Sequence, residues 1–189
     1  MQDVIRARRS IRRFQRKPVL DSVMLDILEA ARLSPTGSNA QPLRFIGIRS
    51  ADLCEKLFAH LRWAGYLPDG SASPTLETQP AAYVVLLVDK NIRAQADNDA
   101  GAAAMSMMLS AQAHGVASCW LGAIDRAKIA ALLDLDAERF QVHMVLALGY
   151  PAQTSRAVPL TGEDVKYYLE APDHLCVPKR QPEDVYQIR

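Results

Sequence analysis

The chain has 189 residues, 49% of them hydrophobic and 23% charged, with 22 lysines and arginines against 21 aspartates and glutamates. That is enough chain for one domain with a substantial core, and a net charge of +1 lacks the positive excess of a nucleic-acid binder. No uninterrupted apolar run reaches the roughly 20 residues of a membrane span, and the charged N-terminus carries no apolar stretch of the secretory type.

Cys54, Cys119 and Cys176 form no C-x-x-C pair and have no metal-ligand spacing. Such sparse thiols point to a reducing cytoplasm. His60, His114, His143 and His174 are isolated from one another and have no second metal ligand at a usable distance. No metal is expected.

Along the chain, the first feature is RARRSIRRFQ at residues 6–15, half of it arginine. Because the whole chain is nearly neutral, this charge is local and needs a local partner. Arginine forks match phosphate oxygens in bidentate geometry, and a serine hydroxyl adds a neutral contact. A solvated basic helix end is the other reading of this stretch alone.

DSVMLDILEAARLSP reads as a helix with Asp21 as its N-cap, Met24, Ile27, Leu28 and Ala31 on one face, and Pro35 as its stop. SPTGSNAQP (34–42) is then a polar turn whose Asn39 and Gln41 offer both donors and acceptors. Such amides suit the edge of a heterocycle. PLRFIGI (42–48) reads as a buried strand, and Ser50 caps a helix with Leu53, Leu57 and Leu61 in one stripe. Residues 63–80 are rich in Gly, Pro and Ser and read as a long loop or lid. AAYVVLLV (81–88) is a continuous apolar run, expected of a strand covered on both faces.

Residues 97–114 form a helix that is small and apolar nearly all round, with Gly115 as its end. Such a helix must be covered on most sides, in part by a second chain. ASCWLG is a short extended segment in which Gly122 allows close backbone approach. Asp125 caps a helix running through Leu133, and QVHMVLALG (141–149) is a central strand. The last forty residues, with little periodicity, read as an arm that covers a partner subunit. VPKRQPEDV (177–185) places a basic pair inside it. The sum is one α+β domain, a mixed sheet wrapped by helices around one long apolar helix.

RRSIRRF, SPTGSNAQPLRFI, DAGAAAMSMMLSAQAHGVASCWLGAI and LALGYP (146–151), taken together and in this order, resemble the nitroreductase family of FMN-dependent oxidoreductases. The resemblance runs from Arg8 to about Val185. It implies an intertwined homodimer with two FMN sites at the interface, wrapped by the arm of residues 150–189. Carried over, Arg8 pairs the FMN phosphate, Ser10 bonds the pyrimidine or ribityl group, and Arg12 lies near N1 and O2, with Arg9 facing the cofactor. A fixed cation there offsets the negative charge that two-electron reduction puts near N1. Pro35, Thr36, Ser38, Asn39 and Gln41 match the segment that reaches the flavin of the other subunit. Gly122 matches the position facing N5, with Trp120 and Leu121 beside it, and Lys179 and Arg180 match a C-terminal phosphate grip. Leu43 stands where many members carry an aromatic residue, and Thr36 replaces a common serine.

The implied activity is hydride transfer from NADH or NADPH, through flavin N5, to a small planar acceptor such as a nitroaromatic or a quinone, in ping-pong order. The flavin carries the chemistry, so no catalytic acid or nucleophile is assigned. Trp63 and Tyr66, in the variable loop, have flat faces suited to stacking on a planar substrate, or else pin the loop to the core. Reductive dehalogenation, flavin fragmentation, azoline dehydrogenation and a non-enzymatic flavin-binding redox sensor are the alternatives on the same scaffold. The loop 63–80 contains no lysine, which weighs against the deiodinase branch.

Overall fold

The computed structural model describes residues 1–63, 65–67 and 73–189. Its main sheet has four strands: β1 (Leu43–Ile48), β2 (Ala82–Asp89), β3 (Ala117–Leu121) and β4 (Phe140–Gly149). They lie in the order β1-β2-β4-β3, and every pairing is antiparallel. Among the described residues, five α-helices accompany it: α1 (Gln2–Ala7), α2 (Asp21–Arg32), α3 (Ala51–Phe58), α4 (Asp97–Ala113) and α5 (Arg126–Leu132).

The apolar run of β2 is explained by its two neighbours and its two covered faces. Ala82, Val84, Leu86 and Val88 point into one core, shared with Val23, Met24 and Ile27 of α2 and with Ala100, Ala103, Ala104 and Met107 of α4. Tyr83, Val85 and Leu87 point into a second core with Leu57 of α3 and Ile129 of α5. All eight residues of β2 are buried. The alternation is the two-residue period of a strand, with both phases apolar because both faces are covered.

β4 shows a feature that its sequence hides. Met144, Leu146 and Leu148 face the first core, while Val142, Val145 and Ala147 face the second. Val142 breaks the alternation because Leu86 pairs with Met144 but Leu87 pairs with Val142, leaving His143 as the extra residue of a bulge.

Most sequence-derived elements are present, with five differences. Asp21 is the first residue of α2, not its cap; Leu20 occupies the cap position without a side-chain bond. β1 is an edge strand, and Arg44 and Gly47 are exposed, so it is not uniformly buried. Leu61 lies beyond the end of α3, bridging to Ile124. The C-terminal segment does not lack regular structure. It forms a three-stranded sheet of β5 (Thr154–Pro159), β6 (Tyr168–Ala171) and β7 (His174–Lys179), in the order β5-β7-β6. The mixed pairing expected for the main sheet occurs here instead, with β5 parallel and β6 antiparallel to β7. The caps Ser50 and Asp125 do accept backbone N–H bonds, from Leu53 at 3.2 Å and Lys128 at 3.1 Å. Gly115 ends α4 with φ +69°.

α4 is buried along Ala100, Ala103, Ala104, Met107, Met108 and Ala111. Its other face is not closed by the described residues: Ala102 and Leu109 are half-buried, and Met105 is 43% exposed. Among the described residues, no helix is long and apolar enough to cross a membrane, and no group of His, Cys, Asp and Glu is placed to hold a metal. Cys54, Cys119 and Cys176 are free and buried, and burial pushes the Cys54 thiol up to about 11.

Asp89, at the end of β2, is fully buried. Its carboxylate accepts from Arg139 Nε at 3.1 Å, Arg139 Nη2 at 2.8 Å and the Asn91 N–H at 3.2 Å. The bonds from Arg139 hold its pKa below the usual carboxylate value. A depressed folded pKa gives stability that is present above the unfolded value of about 3.9 and is lost as pH falls through the folded one. Asp89→Asn is therefore expected to be less stable to urea than the parent at neutral pH. The gap should narrow below about pH 4, and a gap of constant size into strong acid would contradict this role.

Candidate functional site

Residues 8–14 follow α1 as an extended arm laid against the exposed edge of β3. Ser10 bridges to Ser118 in parallel register, and the Ile11 N–H donates to the Ser118 carbonyl at 3.0 Å. Further along, the Phe14 N–H donates to Thr78 at 2.9 Å and the Gln15 N–H to Tyr150 at 2.8 Å. Ile11 and Phe14 are the buried anchors. Ile11 and Phe14 interrupt the arginine run because they pin the arm, so that its polar residues have fixed positions.

Phe14 fixes the arm most firmly. It is fully buried, and its ring packs against Gly149, where an added Cβ would lie 2.9 Å from Cδ1. Only glycine leaves room for the ring at that place in β4.

Around these anchors lies a cationic strip. Arg8 and Arg9 are half-buried. Burial, and then the neighbouring Arg9 charge, lowers the Arg8 pKa. Arg9 donates to the Arg6 carbonyl. Arg12 is half-buried as well; its backbone N–H donates to Gln153 Oε1 at 2.9 Å. Its Nη1 and the Gln153 Nε2 are buried donors that no described residue accepts. Arg13 differs, because it pairs with Asp173 at 2.7 Å. Among the described residues, no carboxylate pairs with Arg8, Arg9 or Arg12. Half-buried cations without counter-charges raise the free energy of the chain alone, so the strip favours an anionic ligand.

The end of β3 borders this strip. Leu121 is buried, Trp120 is 39% exposed, and Gly122 is exposed with open space where a Cβ would stand. The Trp120 ring reaches over α4, 4.0 Å from where a Gly101 Cβ would be. Cys119 is buried beneath, its thiol raised by burial and partly offset by Arg12.

Two of the remaining expected elements lie apart. Pro35–Gln41 form a turn held by the Gly37 N–H donating to Asp99 Oδ1 at 2.9 Å and by the Gln41 N–H donating to Thr36 Oγ1 at 3.0 Å. Ser38, Asn39 and Gln41 have φ of 54°, 52° and 52°. Left-handed backbone at non-glycine residues is uncommon, and such strain concentrates at functional sites. Ser38, Asn39 and Gln41 are exposed, so their side chains face outward. Lys179 ends β7, and Arg180 follows it, both exposed. Among the described residues, no hydrogen bond or ion pair joins either element to the Arg8–Arg12 strip.

The two aromatic residues of the loop 63–80 separate. Trp63 packs on the second core, 6.0 Å from the Phe58 ring. Tyr66 is 58% exposed and lies 5.3 Å from the Tyr167 ring. Ala64 and residues 68–72 of this loop lie outside the described residues. Tyr167 in turn covers Arg12, whose Cζ is 4.6 Å from the ring centre. Tyr167 and Gln153 were not singled out by sequence. For Tyr167 the available signal was the Tyr167-Tyr168 pair in a tail otherwise poor in aromatics; Gln153 carries no signal.

Comparison with known proteins decides which family has built this site. The Nitroreductase family profile matches residues 5–150, which include the arginine arm, the turn 35–41 and all four strands of the main sheet. The chain belongs to the nitroreductase family. This nitroreductase-family chain is 30% identical to a provisionally assigned NADH dehydrogenase/NAD(P)H nitroreductase of Archaeoglobus fulgidus, over 90% of each chain. It is 34% identical to a provisionally assigned nitroreductase from Desulfovibrio desulfuricans, solved in complex with FMN, with a TM-score of 0.67 over 84% of this chain and 91% of that one. A provisionally assigned NAD(P)H:FMN oxidoreductase from Staphylococcus epidermidis shares the fold at a TM-score of 0.73, with 18% identity, over 100% of this chain and 95% of that one. That fold includes the C-terminal strands that lie beyond the family profile.

Proposed function

We propose that this nitroreductase-family oxidoreductase binds FMN against the Arg8–Arg12 arm and the end of β3. It takes hydride from NADH or NADPH and passes it to a small planar acceptor such as a nitroaromatic or a quinone. The observation that carries this reading is the strip of half-buried arginines with no carboxylate partner among the described residues, together with a buried Nη1 on Arg12 that no described residue accepts. The FMN phosphate is a dianion that bidentate guanidinium groups match, and a flavin pyrimidine edge offers acceptors for the orphaned donors. The FMN found with the Desulfovibrio relative and the NAD(P)H in the name of the Archaeoglobus relative support the same reading.

FMN, when bound, supplies the hydride-carrying ring. The protein's own residues do the rest. Arg8 and Arg9 neutralise the phosphate, and the Ser10 hydroxyl bonds the ribityl or pyrimidine group. Arg12 would hold a positive charge beside the pyrimidine edge of the bound group, where it would offset negative charge gathering there. Trp120, Leu121 and Gly122 border the reacting face, and the bare backbone at Gly122 permits close approach. Nicotinamide and acceptor then use one open face in turn.

The site is completed by a second copy of the chain. Pro35, Thr36, Ser38, Asn39 and Gln41 reach the flavin of the partner, and Lys179 and Arg180 add positive charge at the phosphate. The strained, outward-facing turn and the uncovered Met105 side of α4 support this arrangement. Purified protein is expected to sediment at about twice the 20.8 kDa chain mass and to release FMN on denaturation in equal number to its chains. A monomer that retains flavin would refute the shared site. A dimer with no affinity for added FMN would refute the cofactor.

A further inference from the structure

Three segments far apart in sequence meet at one ring. The Arg12 guanidinium lies 4.6 Å from the centre of Tyr167, within the range of a cation–π contact. The Tyr66 N–H donates to the Tyr167 hydroxyl at 3.4 Å, and the two tyrosine rings are 5.3 Å apart at 52°. Tyr167 thus has two ends in use, its face on the N-terminal arm and its hydroxyl on the loop 63–80. Beyond it lies an open cleft of about 430 Å³, lined by Tyr66, Leu67, Pro159, Lys166 and Tyr168 among others. Arg12 has no carboxylate partner among the described residues, so the ring of Tyr167 and the backbone bond to Gln153 are what orient it.

We propose that Tyr167 is a positioning residue: its ring fixes the Arg12 guanidinium, and its hydroxyl ties that charge to Tyr66 in the segment of residues 65–67. The proposal rests on the FMN reading above for its consequence but not for the contact itself. A displacement of Tyr66 is passed through these two contacts to the ring that orients Arg12. Tyr66 thereby tunes the charge beside the flavin through Tyr167.

The test uses full-length protein and three variants, Tyr167→Leu, Tyr167→Phe and Tyr66→Ala. Leucine keeps apolar bulk but removes the aromatic face. Phenylalanine keeps the face and removes the hydroxyl. The first readout is the Arg12 Nε–Hε signal in a nitrogen–proton correlation spectrum, identified by its loss in Arg12→Lys. A guanidinium over a ring face is shifted upfield. Tyr167→Leu is expected to abolish that shift, Tyr167→Phe to keep it, and Tyr66→Ala to reduce it.

The second readout is the bound flavin. Tyr167→Leu should lower the two-electron potential and weaken FMN binding about two- to fivefold, the worth of one exposed cation–π contact. Tyr167→Phe should leave both near the parent values while uncoupling them from loop substitutions. An Arg12 signal unmoved in Tyr167→Leu would overturn the contact. A moved signal with unchanged potential and affinity would overturn the positioning role. Failure of the parent to bind any FMN would be a different result, sinking the function proposed above while the spectrum still reports on Tyr167 and Arg12.

Discussion

Replacing Arg8 by alanine is expected to release FMN on dilution. A hydrogen bond to a charged group contributes about 1.5–3 kcal/mol, which converts to roughly a tenfold to hundredfold loss of affinity. The structure gives a reason to expect a substantial loss from Arg8. Its guanidinium is half-buried, and its pKa is lowered by burial and by Arg9, so it has lost water without gaining a counter-charge. A phosphate dianion restores what burial removed. Affinity should fall with ionic strength in both proteins, and less steeply in the variant, which has one phosphate-facing cation fewer. Equilibrium dialysis of parent and variant at low and high salt measures it. Equal retention of FMN by Arg8→Ala would mean that the phosphate sits elsewhere.

Phe14→Ala should lose about 3–5 kcal/mol of folding stability, the range for removing a buried phenylalanine. The ring is fully buried between the arm and β4 and belongs to the second core. The effect reaches beyond stability. The arm carries Arg8, Ser10 and Arg12, and its backbone bonds to Ser118, Thr78 and Tyr150 depend on the ring for their register. FMN affinity should therefore fall together with the urea midpoint. A variant that loses less than about 1 kcal/mol and keeps its flavin would show that the backbone bonds alone hold the arm.

What the sequence makes legible follows from how local each signal is. The helices α2, α3, α4 and α5 and the strands β2 and β4 are visible because their caps, apolar stripes or continuous apolar runs lie within one segment. The apolar run 81–88 announced a strand covered on both faces, and both cores are built on it. The bulge at His143 is invisible because it depends on register with β2, not on β4's own residues. The strands of the C-terminal sheet escaped for another reason. Only Leu175 and Cys176 in them are buried, so no alternation marks them. At the site, the arginine arm and the turn 34–42 stand out as unusual compositions. Tyr167 does not, because its importance comes from Arg12 and Tyr66, residues that only the fold brings to it. Trp63 and Tyr66 look alike in sequence, yet one packs on the core and the other stays exposed beside Tyr167.

The central claim is that the arginine arm holds a flavin that accepts hydride from a nicotinamide and gives it to a separate acceptor. Anaerobic stopped-flow mixing of the purified yellow protein with NADH, and separately with NADPH, tests it most directly. The visible flavin band should bleach with at least one of the two at a rate that saturates with its concentration. Mixing the bleached protein with a quinone, after the nicotinamide has been removed, should restore the band. A band that stays unchanged with both nicotinamides, in a protein shown to contain FMN, would contradict the account.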